Sequence, residues 1–182
     1  LIRPMGIFQL MDYVGVDVCQ RILQVMKSRL NDEALHSSLV DTLINQSVKG
    51  GQNSDGSQKP GIMSYEKGKP VGIWDPGKKA YEKIETFGTS VDKMLGKLPS
   101  SHKPWKLVIG MRDREEFFKN YFTELKASDT PGTKLACEYH TNSKNIGLNL
   151  VRNGISDNDE NVNTVMLTGF FHAYGPINNY LD

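Results

Sequence analysis

Several chemistries are excluded by what these 182 residues lack. There are only two cysteines, Cys19 and Cys137, far apart and without C-x-x-C spacing. That leaves no basis for a disulfide framework or a zinc site, and a reducing cytoplasm is the expected location. The four histidines, His36, His102, His140 and His172, are not paired as metal ligands or nucleophile partners would be, so they are expected at the surface or at helix caps. The net charge of +1 provides none of the basic excess that nucleic-acid binding requires. Lysine pairs such as Lys78-Lys79 are scattered among acids and read as solvated surface. No apolar run approaches the roughly 18 residues of a membrane span. The apolar opening is interrupted by Arg3, Pro4 and Asp12, unlike a signal peptide. Neither nucleic acid nor membrane is therefore an expected partner.

Catalytic and nucleotide-binding motifs are equally scarce. No G-x-G-x-x-G follows a strand pattern, and no GK[ST], G-x-S-x-G or H-E-x-x-H occurs. "GGQNSDG" is rich in glycine, but its Asn, Ser and Asp are loop formers and no apolar helix follows directly. Glu115-Glu116 stand at an expected helix start, where carboxylates favour the positive end of the dipole.

What remains is helical periodicity. Apolar residues over Ile7 to Tyr13 suggest a short helix interrupted at Gly15, with Asp17 placed to cap a second one carrying Val18, Ile22, Val25 and Met26. Ser37 or Ser38 caps a helix bearing Leu39, Val40, Leu43 and Ile44, expected to run to Gly50-Gly51. "GGQNSDGSQKPG" reads as a mobile surface loop. "IMSYEKGKPVGIWD" reads as a hairpin or extended flap turning at Lys67-Gly68-Lys69. Tyr81, Ile84, Phe87, Val91, Met94 and Leu95 suggest one helix weakened at Gly88, and "WKLVIG" is an apolar run of open type. Further helices begin near Asp113, carrying Phe117, Phe118, Tyr121, Phe122 and Leu125, and at Thr130-Pro131. The second of these ends at Asn153-Gly154, and a last helix carries Val162, Val165 and Met166. Both cysteines fall in helical patterns.

One short stretch is far more specific. "RPMGIFQLMDYVGVD" resembles "PMGPFELLDYVGLD" of the 3-hydroxyacyl-CoA dehydrogenases, at the start of their helical C-terminal domain. Pro4, Met5, Gly6, Phe8, Leu10, Asp12, Tyr13, Val14, Gly15 and Asp17 match. "KPGIMSYEKGKP" is similar to the family flap "GEGFYKYEKGKP", with Ile62-Met63 replacing Phe-Tyr and Lys59 where Gly is common. "ENVNTVMLTGFFHAYGP" resembles "EDIDTAMKLGLGYPMGP" of the same family, with Glu160, Thr164, Met166, Gly169, Gly175 and Pro176 in place. The resemblance covers Leu1 to Pro70 and Asn145 to Asp182, and none is found between them.

The resemblance implies an all-α, predominantly helical chain of the 6-phosphogluconate dehydrogenase C-terminal-like fold, with a duplicated helical unit and a small extended flap. Residues 1–70 would be a first copy truncated at its N-terminus, 71–130 a helical connection, and 131–182 part of a second copy. It also implies the C-terminal substrate-cleft and dimerisation domain of an NAD-dependent enzyme of fatty-acid oxidation, which passes hydride from 3-hydroxyacyl-CoA to NAD. The family His, Glu and Asn would precede Leu1, so no catalytic, cofactor-binding or metal residue is assigned. The fragment alone would then be inactive and bind no NAD. Pro4, Met5, Gly6 and Phe8 are the expected substrate-binding residues, and a purely structural turn explains them equally well. Expected partners are acyl-CoA, a second copy of the chain and a separate NAD-binding domain. A non-catalytic helical interaction module that kept the fold and lost the chemistry is the alternative.

Overall fold

The computed structural model describes residues 2–182; Leu1, which opens the expected first copy, lies outside the described residues. The chain divides into two compact units, one of Met5–Thr89 and one of residues 2–4 with Ser90–Asp182.

In the first unit, α1 (Ile7–Val14) and α2 (Val16–Leu30) meet at Gly15, whose φ of 110° is closed to a side chain without strain. Gly15 is also the N-cap of α2, so Asp17 stands inside the first turn and not at the cap position read from the sequence. Its charge still favours the helix N-terminus there. α3 (Ser38–Asn45) begins as expected, with Ser37 accepting from the Val40 N–H. It stops five residues before Gly50, because the Val48 and Gln46 N–H groups turn back onto the Leu43 carbonyl. Val16, Val40, Leu43, Val48 and Ile62 form the core, with Met11, Ile44 and Trp74 packed on it.

The flap is larger than a hairpin. β1 (Met63–Glu66) and β2 (Lys69–Asp75) pair antiparallel through a Lys67-Gly68 turn in which both residues have positive φ. A third strand, β3 (Ala80–Lys83), pairs with the other edge of β2. The fold is therefore predominantly helical with a three-stranded antiparallel sheet, and not strictly all-α. Tyr81 was expected in a helix. Its ring instead meets Trp74 edge-on at 5.1 Å across the strands, and this cross-strand pair holds residues 80–83 extended. The helix, α4 (Ile84–Leu95), starts only after β3.

The second unit contains α5 (Trp105–Val108), which gives the "WKLVIG" run its type. It also holds α6 (Arg114–Ala127), α7 (Pro131–Arg152) and α8 (Asp159–Gly169). Thr130 caps α7 through the Thr133 N–H, with Pro131 in the first turn, and Asn158 caps α8 through the Asn161 N–H. The spacing of Phe117, Phe118, Tyr121, Phe122 and Leu125 puts them on one side of α6, and all are buried. Phe122 stacks on Tyr180 at 5.1 Å and meets Tyr174 edge-on at 5.3 Å.

Gly6 and Gly175, the family-matching glycines of the two expected copies, stand in different local structure. Gly6 is followed by helix and has open space where a Cβ would stand. Gly175 is followed by bends, and a Cβ there would run into the Asn163 side chain. Asn163 is fixed by two bonds to Ile177: its Nδ2 donates to the carbonyl at 2.8 Å and its Oδ1 accepts from the N–H at 2.9 Å. Phe8, one of the expected substrate-binding residues, is 41% exposed.

Candidate functional site

The buried carboxylate of Asp12 organises the part of the first unit that carries the family-like residues. Asp12 sits among Leu10, Met11, Tyr13 and Val14 on α1 and is fully buried. Its Oδ1 accepts the Ile62 N–H at 2.6 Å, and its Oδ2 accepts the Met63 N–H at 2.7 Å and the Tyr65 hydroxyl at 3.0 Å. The Asp12 backbone carbonyl takes the Gly51 N–H at 2.7 Å and the Gln58 side-chain amide at 2.8 Å. One residue of a short helix thus holds the 51–63 loop and the start of the flap. Gly61 makes the approach possible, because any Cβ there would collide with the Asp12 carboxylate. Tyr81 closes the other side by donating to the Gly61 carbonyl at 2.7 Å.

Burial pushes the Asp12 carboxyl above its ordinary range, partly offset by the bonds from Met63, Ile62 and Tyr65. Burial also raises the Tyr65 hydroxyl, as does the Asp12 charge beside it. Neither group is accessible to a ligand as a proton carrier. Asp12 has no exposed surface, and the Tyr65 hydroxyl is already committed to it. This arrangement is an anchor, not an acid–base pair.

The anchored loop, α1 and the flap turn enclose a groove of about 500 Å3 whose lining includes Met5, Gln9, Tyr13, Tyr65 and Lys67. It offers amides, phenols and one ammonium on an apolar base, which suits a ligand with a polar or anionic portion. Of the substrate-binding residues expected from the sequence, Met5 lines this groove. Gly6 is the N-cap of α1 and Phe8 lies exposed on the helix, and neither is part of the groove lining. Pro4 is exposed and belongs to the second unit. Asp12 lies in the family-like stretch, and its anchoring role rests on donors from residues 62, 63 and 65. The available signal was a carboxylate inside an otherwise apolar helical stretch, where a charge is costly unless it is hydrogen-bonded.

The only sheet among the described residues is antiparallel, with no parallel strand leading through a glycine turn into a helix N-terminus that could cradle a pyrophosphate. Among the described residues, no three metal-ligating side chains cluster, and no helix is long and apolar enough to cross a membrane.

Residues 2–59 match the family model described as 3-hydroxyacyl-CoA dehydrogenase, C-terminal domain. The match takes in α1, α2, α3 and the loop up to Lys59, about a third of the chain. No curated protein and no solved structure matches the chain.

Proposed function

From the match of residues 2–59 to the C-terminal domain model of the 3-hydroxyacyl-CoA dehydrogenases, we propose that this chain is the helical part of such an enzyme. The reaction would be hydride transfer from a 3-hydroxyacyl-CoA to NAD, with the NAD site and the proton-transferring His–Glu pair supplied by a separate nucleotide-binding domain. This chain's contribution is then to wall the acyl-CoA cleft. The observation that carries the reading is the Asp12 anchor, which sets the flap turn and its Lys67 beside Met5 around one groove. The Lys67 ammonium and the neighbouring amides suit the polar portion of a CoA thioester, and Met5 offers an apolar contact beside them. Dimerisation is part of the same proposal. Val18, Ile22, Val25 and Met26 line one side of α2 and are all exposed, an apolar stripe that a second copy would cover.

The test is NADH-dependent reduction of acetoacetyl-CoA by the 182-residue chain and by the protein extended with whatever sequence is encoded before Leu1. We expect no turnover and no NADH binding by the chain, and turnover by an extended protein carrying a G-x-G-x-x-G strand–turn–helix. Turnover by the chain alone would refute the placement of the chemistry elsewhere. An extension without a nucleotide fold, and without turnover, would favour the non-catalytic module.

A further inference from the structure

The second unit has a cavity that the proposed reaction does not use. We propose that it binds a small, uncharged, mostly apolar molecule bearing a hydroxyl group, held by the imidazoles of His140 and His172. The cavity measures about 190 Å3 and is walled by Ile146, Leu150, Val162 and Met166, with both histidines in its lining. Apolar cavities of roughly 150 Å3 hold benzene. The space therefore suits a substituted phenol or a six-carbon alcohol.

The histidines supply the polar half of the argument. They were expected at the surface or at caps, yet His140 is 2% exposed and His172 6%. The His140 ring is set between Phe122 at 4.8 Å and Tyr174 at 5.6 Å, in the middle of α7. Neither of its ring nitrogens has a hydrogen-bond partner, and neither does Nδ1 of His172. Asn178, whose side chain favours the charged form of His140, gives its amide to the Gly175 carbonyl at 2.7 Å and takes the Tyr180 N–H on its oxygen at 3.1 Å, and it makes no hydrogen bond of proper geometry to the ring. A buried donor or acceptor without a partner costs about 1–3 kcal/mol, so such atoms mark where a polar group is to be received.

The charge class follows from the surroundings. Burial holds both imidazoles below the ordinary range, reinforced by Lys144 near His140 and Arg3 near His172, while Asn178 and Asp182 pull His140 the other way. A neutral imidazole presents one donor and one acceptor. A hydroxyl complements both, whereas a carboxylate would be desolvated without a fixed cation in the cavity. Two imidazoles with no third ligand do not make a metal site.

The experiment is a titration of the full chain with p-cresol, toluene and hexanoate, followed by the ring-nitrogen NMR signals of the histidines. We expect saturable shifts at His140 and His172 with p-cresol, and binding at least tenfold tighter than that of toluene. His140→Leu should abolish the preference for cresol. Should that variant fail to fold, Ser143→Phe, which changes a half-buried cavity-lining residue, should block both ligands while leaving the histidine signals dispersed. Equal binding of toluene, tighter binding of hexanoate, or no saturable shift would each overturn the proposal.

Discussion

Asp12 and Ile62, fifty residues apart in the chain, are joined by a 2.6 Å bond from the Ile62 N–H to the carboxylate. The bonds from Met63 and Tyr65 share that carboxylate, so three donors depend on one side chain. Asp12→Ala leaves all three unsatisfied, at a cost of about 1–3 kcal/mol for each group that water cannot reach. We expect a loss of about 3 kcal/mol or more, and a smaller loss for Asp12→Asn, whose amide offers one acceptor but places a donor against donors. Urea unfolding followed by fluorescence of Trp74 on β2 checks this, since that ring packs on the core containing Ile62. A wild-type midpoint in Asp12→Ala would refute the anchor.

Gly61→Ala attacks the same contact from the other side. The new methyl group would press on the Asp12 carboxylate and come within 2.8 Å of the Gly50 Cα. Overpacking of this kind costs about 1–3 kcal/mol. The loss should add only in part to that of Asp12→Ala, because the alanine variant removes the carboxylate being struck but leaves the Gly50 Cα in place. Strict additivity in the double variant would mean that the glycine acts elsewhere.

The two end turns should respond differently to the same substitution. Gly175→Ala displaces Asn163 and with it both Asn163–Ile177 bonds, so a loss of about 2 kcal/mol is expected. Gly6→Ala meets open space and changes only an N-cap residue, for about 1 kcal/mol or less. Thermal unfolding of the two variants decides this, and equal shifts would restore the equivalence of the turns.

Acid should weaken the second unit. His102, His140 and His172 are each depressed from 6.5, burial being the leading cause. Between that unfolded value and the lower folded ones, the unfolded chain binds more protons. Their contribution is therefore present above about pH 6.5 and lost as pH falls through the folded values. Asp12 has the opposite sign: with a raised folded value, its contribution is present at low pH and lost as pH rises. It cannot produce the acid loss. Histidine proton NMR should give midpoints below 6.5 for His140 and His172, and the urea midpoint should be lower at pH 5.5 than at 7.5. Ordinary midpoints for both histidines would show that their burial is relieved in solution.

The apolar stripe on α2 gives a direct test of self-association. Ile22 is 49% exposed, so Ile22→Glu should leave the helical circular dichroism signal unchanged within about 0.5 kcal/mol of stability. Light scattering should report a dimer for the wild type and a monomer for the variant. A wild-type monomer at high concentration would remove the dimer from the proposed function.

Local signals in the sequence were enough to locate most helix starts, because a cap operates over three or four residues. Ser37, Thr130-Pro131 and Asn153-Gly154 act where the sequence indicates, and the aromatic run of α6 is buried at the spacing that its letters imply. The Met5–Asp17 stretch was also legible as a family signature, and the match over residues 2–59 agrees with it. Tertiary structure alone decided the rest, wherever a residue's partner is distant in the chain. Tyr81 at helical spacing became strand because Trp74 claims its ring. Asp12 became the anchor because its donors arrive fifty residues later. His140 and His172 became buried because the aromatic cluster and α8 cover them. Periodicity states which side of a helix is apolar, but burial depends on what packs against each side, and that is set by contacts across the fold.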